Sequence, residues 1–173
     1  IAVPGAWTTA YLALRLMLPD FQPLFVPFDK IFDAVREGTA QAGLVIHEGQ
    51  LSFDRQGVHR VVDLGRWWKQ TYELPLPLGA NAVRRSLDPV IQQECCSMLR
   101  KSIEYALTNR EEALSYAVQF ARGLDAGLTE KFVGMYVNDH TLDAGPSVRL
   151  AAQKLLDLGH EAGLIPQRIT VEY

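Results

Sequence analysis

Cysteine is nearly missing from this chain: its 173 residues contain two, Cys95 and Cys96, adjacent in sequence. Neighbouring cysteines do not normally bridge each other and give no ligand spacing for zinc, so neither a disulfide nor a metal framework is expected to staple the fold. Such sparse cysteine points to a reducing, cytoplasmic setting. A surplus of positive charge is also missing, with 17 Lys and Arg against 20 Asp and Glu and a net charge of −3. That balance does not drive contact with a phosphate backbone, and nucleic acid is not an expected partner. No apolar run approaches the roughly 20 residues of a membrane-spanning helix, and no membrane partner is expected. Walker A, Gly-x-Gly-x-x-Gly and Gly-x-Ser-x-Gly patterns are absent, as is any metal-ligand constellation, so no metal or other cofactor is expected.

What remains is an ordinary globular composition, 48% hydrophobic and 21% charged, which excludes the disordered, collagenous and coiled-coil classes. The length fits one domain or two small ones, and folding buries roughly 70% of the surface of such a chain. There are no internal repeats. The grammar changes near residue 85.

Residues 1–85 alternate short apolar runs with helical patterns. Residues 1–3 are expected as a strand, followed by a turn at Pro4-Gly5 and a helix to about Leu18 capped by Thr8 or Thr9. Residues 22–28 are expected as a second strand, Asp29 as the cap of a helix over 30–37, and residues 42–46 as a third strand. This βαβαβ order is that of a parallel sheet with right-handed crossovers. Further strands are expected over 58–64 and 79–84, around a short helix over 65–73 that carries Trp67 and Trp68. Residues 86–173 read as mostly helical. Helices are expected over 89–107 with Asp88 as cap, over 110–122 with Gly123 as stop, over 130–137 with Thr129 as cap, and from Gly145-Pro146 to about 162. Residues 169–173 are expected as a closing strand.

Open parallel sheets bind ligands beyond the carboxyl ends of their strands, where the strand order reverses. An order of 2-1-3 brings two distant segments to one rim. The first is a helix N-terminus at Thr8-Thr9-Ala10, whose free N–H groups and dipole suit a carboxylate or phosphate. Plain helix capping by the same threonines is the alternative. The second is His47-Glu48, directly after the third strand. A histidine there titrates near neutrality and can act as a general base, with Glu48 orienting it or simply solvated; a hydrogen-bonded rim histidine without a catalytic duty is the alternative.

The remaining candidates are weaker. His59 is placed in a polar strand, His140 in a loop and His160 on a helix, all three structural or solvated. Trp67-Trp68 has the chemistry to stack on a planar ligand, but one of the pair is expected in the core and the other as a surface cover. Cys95 and Cys96 lie on a helix with no activating base and are expected as buried, inert thiols. Arg84-Arg85 has the charge for an anion, although a strand end of this kind is usually solvated.

Several motifs occur in a recognisable order: Val3-Pro4-Gly5 with Thr8-Thr9-Ala10-Tyr11, Gly43-Leu44-Val45-Ile46-His47-Glu48, Val62-Asp63-Leu64-Gly65 with Trp67-Trp68, Leu74-Pro75-Leu76-Pro77-Leu78-Gly79, and Tyr136-Val137-Asn138 with Thr141-Leu142-Asp143. Together they resemble the 1,4-dihydroxy-6-naphthoate synthase family over essentially the whole chain. The resemblance implies a type II periplasmic-binding-protein-like fold of two lobes with the substrate between them. Residues 1–85 would be the second lobe, and 86–173 a helical segment returning to the first. It implies a lyase that converts cyclic dehypoxanthinyl futalosine, a small-molecule carboxylate, to 1,4-dihydroxy-6-naphthoate in menaquinone biosynthesis. His47 would be the proton acceptor and Thr9 and Ala10 would bind substrate, with Thr8 beside them. Proton removal would trigger carbon–carbon cleavage, driven by aromatisation, without metal or redox cofactor. Chorismate dehydratase, and a solute-binding or sensor domain of the same fold, are the competing readings.

The chain opens at Ile1, directly in a strand. The expectation from the resemblance is that roughly 90 residues of the first lobe, a domain-sized unit, precede it. Helices deprived of that sheet would expose apolar surface and favour self-association.

Overall fold

The computed structural model describes residues 1–120 and 126–173. It is an α/β structure that divides into two compact units, Ile1–Leu78 with Pro146–Tyr173, and Gly79–Gly145. The division falls after Leu78 rather than near residue 85, and the last helix joins the first unit rather than the helices that precede it in sequence.

The first unit is built around a small parallel sheet. Strand β1 (Ala2–Val3) pairs with β2 (Leu24–Phe25), Ala2 opposite Leu24 and Val3 opposite Phe25. On its other side Ala2 forms a parallel bridge with Gly43, flanked by Ala2 N–H to the Ala42 carbonyl and Leu44 N–H to the Ala2 carbonyl, both 2.8 Å. The 2-1-3 order therefore holds, with β1 in the middle. The strands are shorter than expected. In β2, Pro23 and Pro27 bracket the ladder, and neither has an N–H to extend it. The third segment makes one bridge and then bends toward a 3₁₀ turn, Glu48–Leu51.

Alternation along β1 covers both faces of the sheet. Ala2 packs with Ile31, Ala34 and Ala40 on one face; Val3 packs with Leu14 and Leu44 on the other. Helix α1 (Thr9–Met17) supplies Leu14, and α2 (Ile31–Arg36) supplies Ile31 and Ala34. Gly43 is required by this packing: a Cβ there would lie 2.4 Å from Ile31 Cγ2 and 3.2 Å from Val35 Cγ2.

Local signals place most helix starts. Thr8 caps α1, its hydroxyl accepting from Tyr11 N–H, and Asp63 caps α3 (Leu64–Tyr72) by accepting from Arg66 N–H. Asp29 is not the cap of α2. It lies inside a 3₁₀ turn, Phe28–Lys30, which moves the helix start to Ile31. Helix α3 lies against α1 and buries Trp68 completely, whereas Trp67 is half-buried. Glu73 ends α3 in the left-handed conformation (φ 59°), with Lys69 Nζ donating to its carbonyl at 2.7 Å.

The second unit holds α4 (Pro89–Thr108), α5 (Arg110–Val118), α6 (Ala126–Tyr136) and α7 (Asp139–Leu142). Asp88 caps α4 with Pro89 in the first turn, and α5 lies against α4 and α6. The expected end of the second of these helices at Arg122-Gly123 lies outside the described residues. Its described part closes at Val118 with a tighter turn through Phe120. Thr129 does not cap α6 but lies buried within it. The Asn138 and Thr141 side chains form a capping box on α7, so His140 sits on a short helix rather than in a loop.

Helix α8 (Gly145–Glu161) returns to the first unit, where Ala151, Leu155 and Gly159 are buried. The segment 169–173 is no strand. Gln153 pins it instead, accepting from Val171 N–H at 2.9 Å and donating to the Ile169 carbonyl at 2.8 Å. Strands over 58–64 and 79–84 do not form either: residues 58–63 and 79–84 are irregular, Leu64 opens α3, and Val61 is 82% exposed. Cys95 and Cys96 are exposed free thiols, not buried ones. The reason is general to this unit. Among the described residues every buried apolar side chain lies in the first unit, and neither α4 nor α5 buries any residue. Helical spacing identified an apolar face on α4 that nothing in the described structure covers.

Candidate functional site

Because β1, β2 and residues 42–44 run parallel, the chain leaves all three at the same end of the sheet. Three segments gather there: Pro4 to the first turn of α1, Pro27-Phe28, and His47 to Leu51.

In the first turn of α1 the capping interactions assign each group. The Thr8 hydroxyl donates to the Gly5 carbonyl and accepts from Tyr11 N–H, both at 3.1 Å. The Thr8 carbonyl accepts Leu12 N–H at 3.1 Å. Thr8 is therefore a cap, with its hydroxyl engaged in both directions. The two amides of this helix end that the cap does not use are those of Thr9 and Ala10. The Thr9 hydroxyl donates to the Leu78 carbonyl at 2.6 Å, which joins the Leu-Pro-Leu-Pro-Leu segment to the helix N-terminus. The side chain of Thr9 thus shapes the rim, and its amide faces the same end as that of Ala10. Trp7, in the loop just before the cap, is 96% exposed.

Phe28, Phe32 and Gly49 hold His47. Its ring stands edge-on to Phe32 (centroids 5.5 Å apart, 90° between planes) and tilted to Phe28 (5.9 Å). Its Nδ1 accepts a hydrogen bond from Gly49 N–H at 2.9 Å, so the ring caps the 3₁₀ turn Glu48–Leu51. A neutral imidazole that accepts at Nδ1 carries its proton on Nε2. Nε2 itself is buried. Gly49 has no space for a side chain: a Cβ would lie 2.4 Å from His47 Cε1 and 2.4 Å from Phe32 Cε2. The orienting group at Nδ1 is thus the Gly49 amide, not the carboxylate of Glu48. Phe28 and Phe32 carry no chemical signal in the sequence, and Gly49 carries only the lack of a side chain two residues after the histidine.

The other candidates lie elsewhere. His160 Nδ1 is 3.0 Å from the Ile165 carbonyl and fixes the turn after α8. His59, His140, Arg84 and Arg85 are exposed. Trp68 is fully buried and its indole packs 4.4 Å from the Tyr72 ring, so it serves the core and not a ligand. The Tyr136–Asp143 motif is a cap: Thr141 donates to the Tyr136 carbonyl at 2.7 Å, and Asn138 Nδ2 donates to the Gly134 carbonyl at 3.2 Å. Among the described residues no cluster of three His, Cys, Asp or Glu side chains is placed to hold a metal ion, and no helix is long and apolar enough to cross a membrane.

The carboxyl end of this parallel sheet thus carries a helix N-terminus, whose amides suit an anion, and a histidine held by its neighbours. The chain belongs to the menaquinone biosynthesis family, whose model matches residues 1–161. It is 40% identical over 164 residues to a protein of Thermus thermophilus, and 36% identical over 172 residues to one of Streptomyces coelicolor, each named 1,4-dihydroxy-6-naphthoate synthase. These alignments cover 95% and 96% of this chain but 60% and 61% of the relatives, so the chain spans about three-fifths of the length of the curated relatives it matches. A crystal structure of an Archaeoglobus fulgidus protein superposes with a TM-score of 0.91 at 45% identity, over 95% of this chain and 62% of that one.

Proposed function

We propose that this chain contributes the reacting lobe of a 1,4-dihydroxy-6-naphthoate synthase, a cytoplasmic carbon–carbon lyase of the futalosine route that acts on cyclic dehypoxanthinyl futalosine. The observation that carries the reading is the common exit of the Thr9-Ala10 amides and of His47 from one end of the parallel sheet. The two amides, backed by the α1 dipole, suit the substrate carboxylate. His47 is the proton-transfer group. Removal of a proton from the carbocycle leaves an electron pair that expels the neighbouring carbon–carbon bond, and aromatisation makes the step irreversible in practice. The rings of Phe28 and Phe32 flank the imidazole and orient it.

The same reading assigns this chain to a two-lobe fold of the type II periplasmic-binding-protein kind, with the helices of the second unit, 79–145, serving the other lobe. Two observations support it: the relatives are longer than this chain by about two-fifths of their length, and α4 and α5 bury no residue of their own.

The test is formation of dihydroxynaphthoate from cyclic dehypoxanthinyl futalosine. It is run with the 173-residue chain and with a form extended upstream by roughly 90 residues, a domain-sized addition. Turnover by the extended form, abolished by His47→Ala, supports the lyase. Binding of the substrate without turnover in the extended form moves the protein to the solute-binding class. Turnover of chorismate instead makes it the dehydratase.

A further inference from the structure

We infer that Gly49 is a positioning residue that keeps His47 in the Nε2–H tautomer, so that the histidine rests as a hydrogen-bond donor and becomes a base only when its bond to the Gly49 amide opens. The placement of His47 in the reaction rests on the proposed function; the tautomer rests on geometry alone. Gly49 N–H points at Nδ1 from 2.9 Å, and an N–H donor is compatible only with a bare lone pair on that nitrogen. The neutral ring therefore holds its proton on Nε2. The ring cannot drift from this arrangement by a small rotation. Phe32 meets it edge-on, Phe28 lies across it, and the Cα of Gly49 sits so close that even a methyl group at this position would collide with both His47 and Phe32.

The consequence is chemical. The lone pair able to take up a proton is the one on Nδ1, and it is covered. When Nδ1 accepts a proton from the substrate, a new N–H bond forms, the electron pair of the broken bond stays on the substrate, and the hydrogen bond to Gly49 is lost. The ring then carries two protons and a positive charge. Return of the Nδ1 proton to the product or to solvent restores the lone pair, and the Gly49 bond closes again. Glycine at 49 thus performs two tasks that no other residue combines: it supplies the amide and leaves the space.

The experiment uses the 173-residue chain labelled with ¹⁵N and a long-range ¹H–¹⁵N correlation spectrum of the histidine rings. The expected pattern for neutral His47 is a bare Nδ1 and a protonated Nε2, with the Gly49 amide shift following the same pH curve as the ring. A protonated Nδ1, a fast average of both tautomers, or a Gly49 amide indifferent to the ring overturns the inference. Gly49→Ala is expected to convert the single tautomer into a mixture while the amide signals of Ala2 and Leu24 persist. Should that variant fail to fold, amide exchange in two others decides. His47→Asn keeps an acceptor near the Nδ1 position and is expected to leave Gly49 exchange close to the wild-type rate. His47→Ala removes the acceptor and is expected to speed it about three- to tenfold. Equal rates in the two variants overturn the inference. Loss of turnover in every form with the tautomer intact removes only the lyase; turnover that depends on His47 with the opposite tautomer removes only this inference.

Discussion

The Thr9 hydroxyl donates to the carbonyl of Leu78 at 2.6 Å, across 69 residues of sequence, and so ties the first turn of α1 to the end of the proline-rich segment. Thr9→Val keeps the shape and the amide but loses this bond. A destabilisation of about 0.5–1.5 kcal/mol is expected by thermal unfolding. Thr8→Ala, which removes the cap, is expected to cost about 1 kcal/mol.

Thr9→Pro separates the amide from the hydroxyl. Thr8 is already extended (φ −93°, ψ 143°), the conformation that a following proline imposes, and proline is well tolerated at the first helical position. In the upstream-extended form this variant is expected to fold and to raise KM about ten- to hundredfold, the value of a hydrogen bond to a charged group. Thr9→Val is expected to leave KM within about threefold. Equal KM effects in the two variants would show that the hydroxyl, not the amide, meets the substrate.

Gly43→Ala places a methyl group 2.4 Å from Ile31 Cγ2, between the third parallel segment and α2. Overpacking of this kind costs about 1–3 kcal/mol. Chemical denaturation of the variant should show a lower midpoint at an unchanged slope.

Glu73 ends α3 with φ 59° and is, among the described residues, the non-glycine residue with positive φ. Glu73→Gly relieves the Cβ contact of the left-handed conformation and is expected to stabilise the chain by about 1 kcal/mol. No change in melting temperature would mean that the Lys69 contact to the Glu73 carbonyl already offsets the strain.

Acid should weaken the turn at α2. The Arg36 guanidinium and then the Lys30 ammonium hold the Asp33 carboxyl below its ordinary value. A carboxyl lowered in the folded state adds stability above its unfolded value, and that contribution disappears as pH falls through the folded one. Melting temperatures from pH 7 down to pH 3 should therefore fall more steeply for the wild type than for Asp33→Asn. Tyr105 carries the opposite sign. Its hydroxyl donates to Glu112 at 2.8 Å, which raises it, so its contribution is present below the ordinary phenol range and is lost as pH rises through the raised value.

The caps were legible because they are local. Thr8 and Asp88 each bond to an amide two or three residues ahead, and a side chain's reach along its own chain needs no other part of the fold; Asp63, which caps α3 in the same way, was instead expected inside a strand. The approximate helix spans followed from the same short-range periodicity, and the 2-1-3 order is one of the few that two short right-handed crossovers allow. The rim could be placed from that order alone, which is how His47, Thr9 and Ala10 came to share one end of the sheet.

Strands are another matter, because a strand exists only with a partner. Residues 58–63 and 79–84 have strand-like composition but, among the described residues, no neighbour to complete a ladder, and they stay irregular. The spacing along α4 marks an apolar face without saying what covers it, so Cys95 and Cys96 are exposed where burial was expected. The sequence by itself determined most of the helical segments and the parallel character of the small sheet, because both rest on short-range patterns. Only the tertiary structure decided which nitrogen of His47 bears the proton. That depends on an amide, a missing Cβ and two phenylalanine rings meeting at one point, and no local pattern encodes a packing contact between the 3₁₀ turn Phe28–Lys30, α2 and the turn after residue 46.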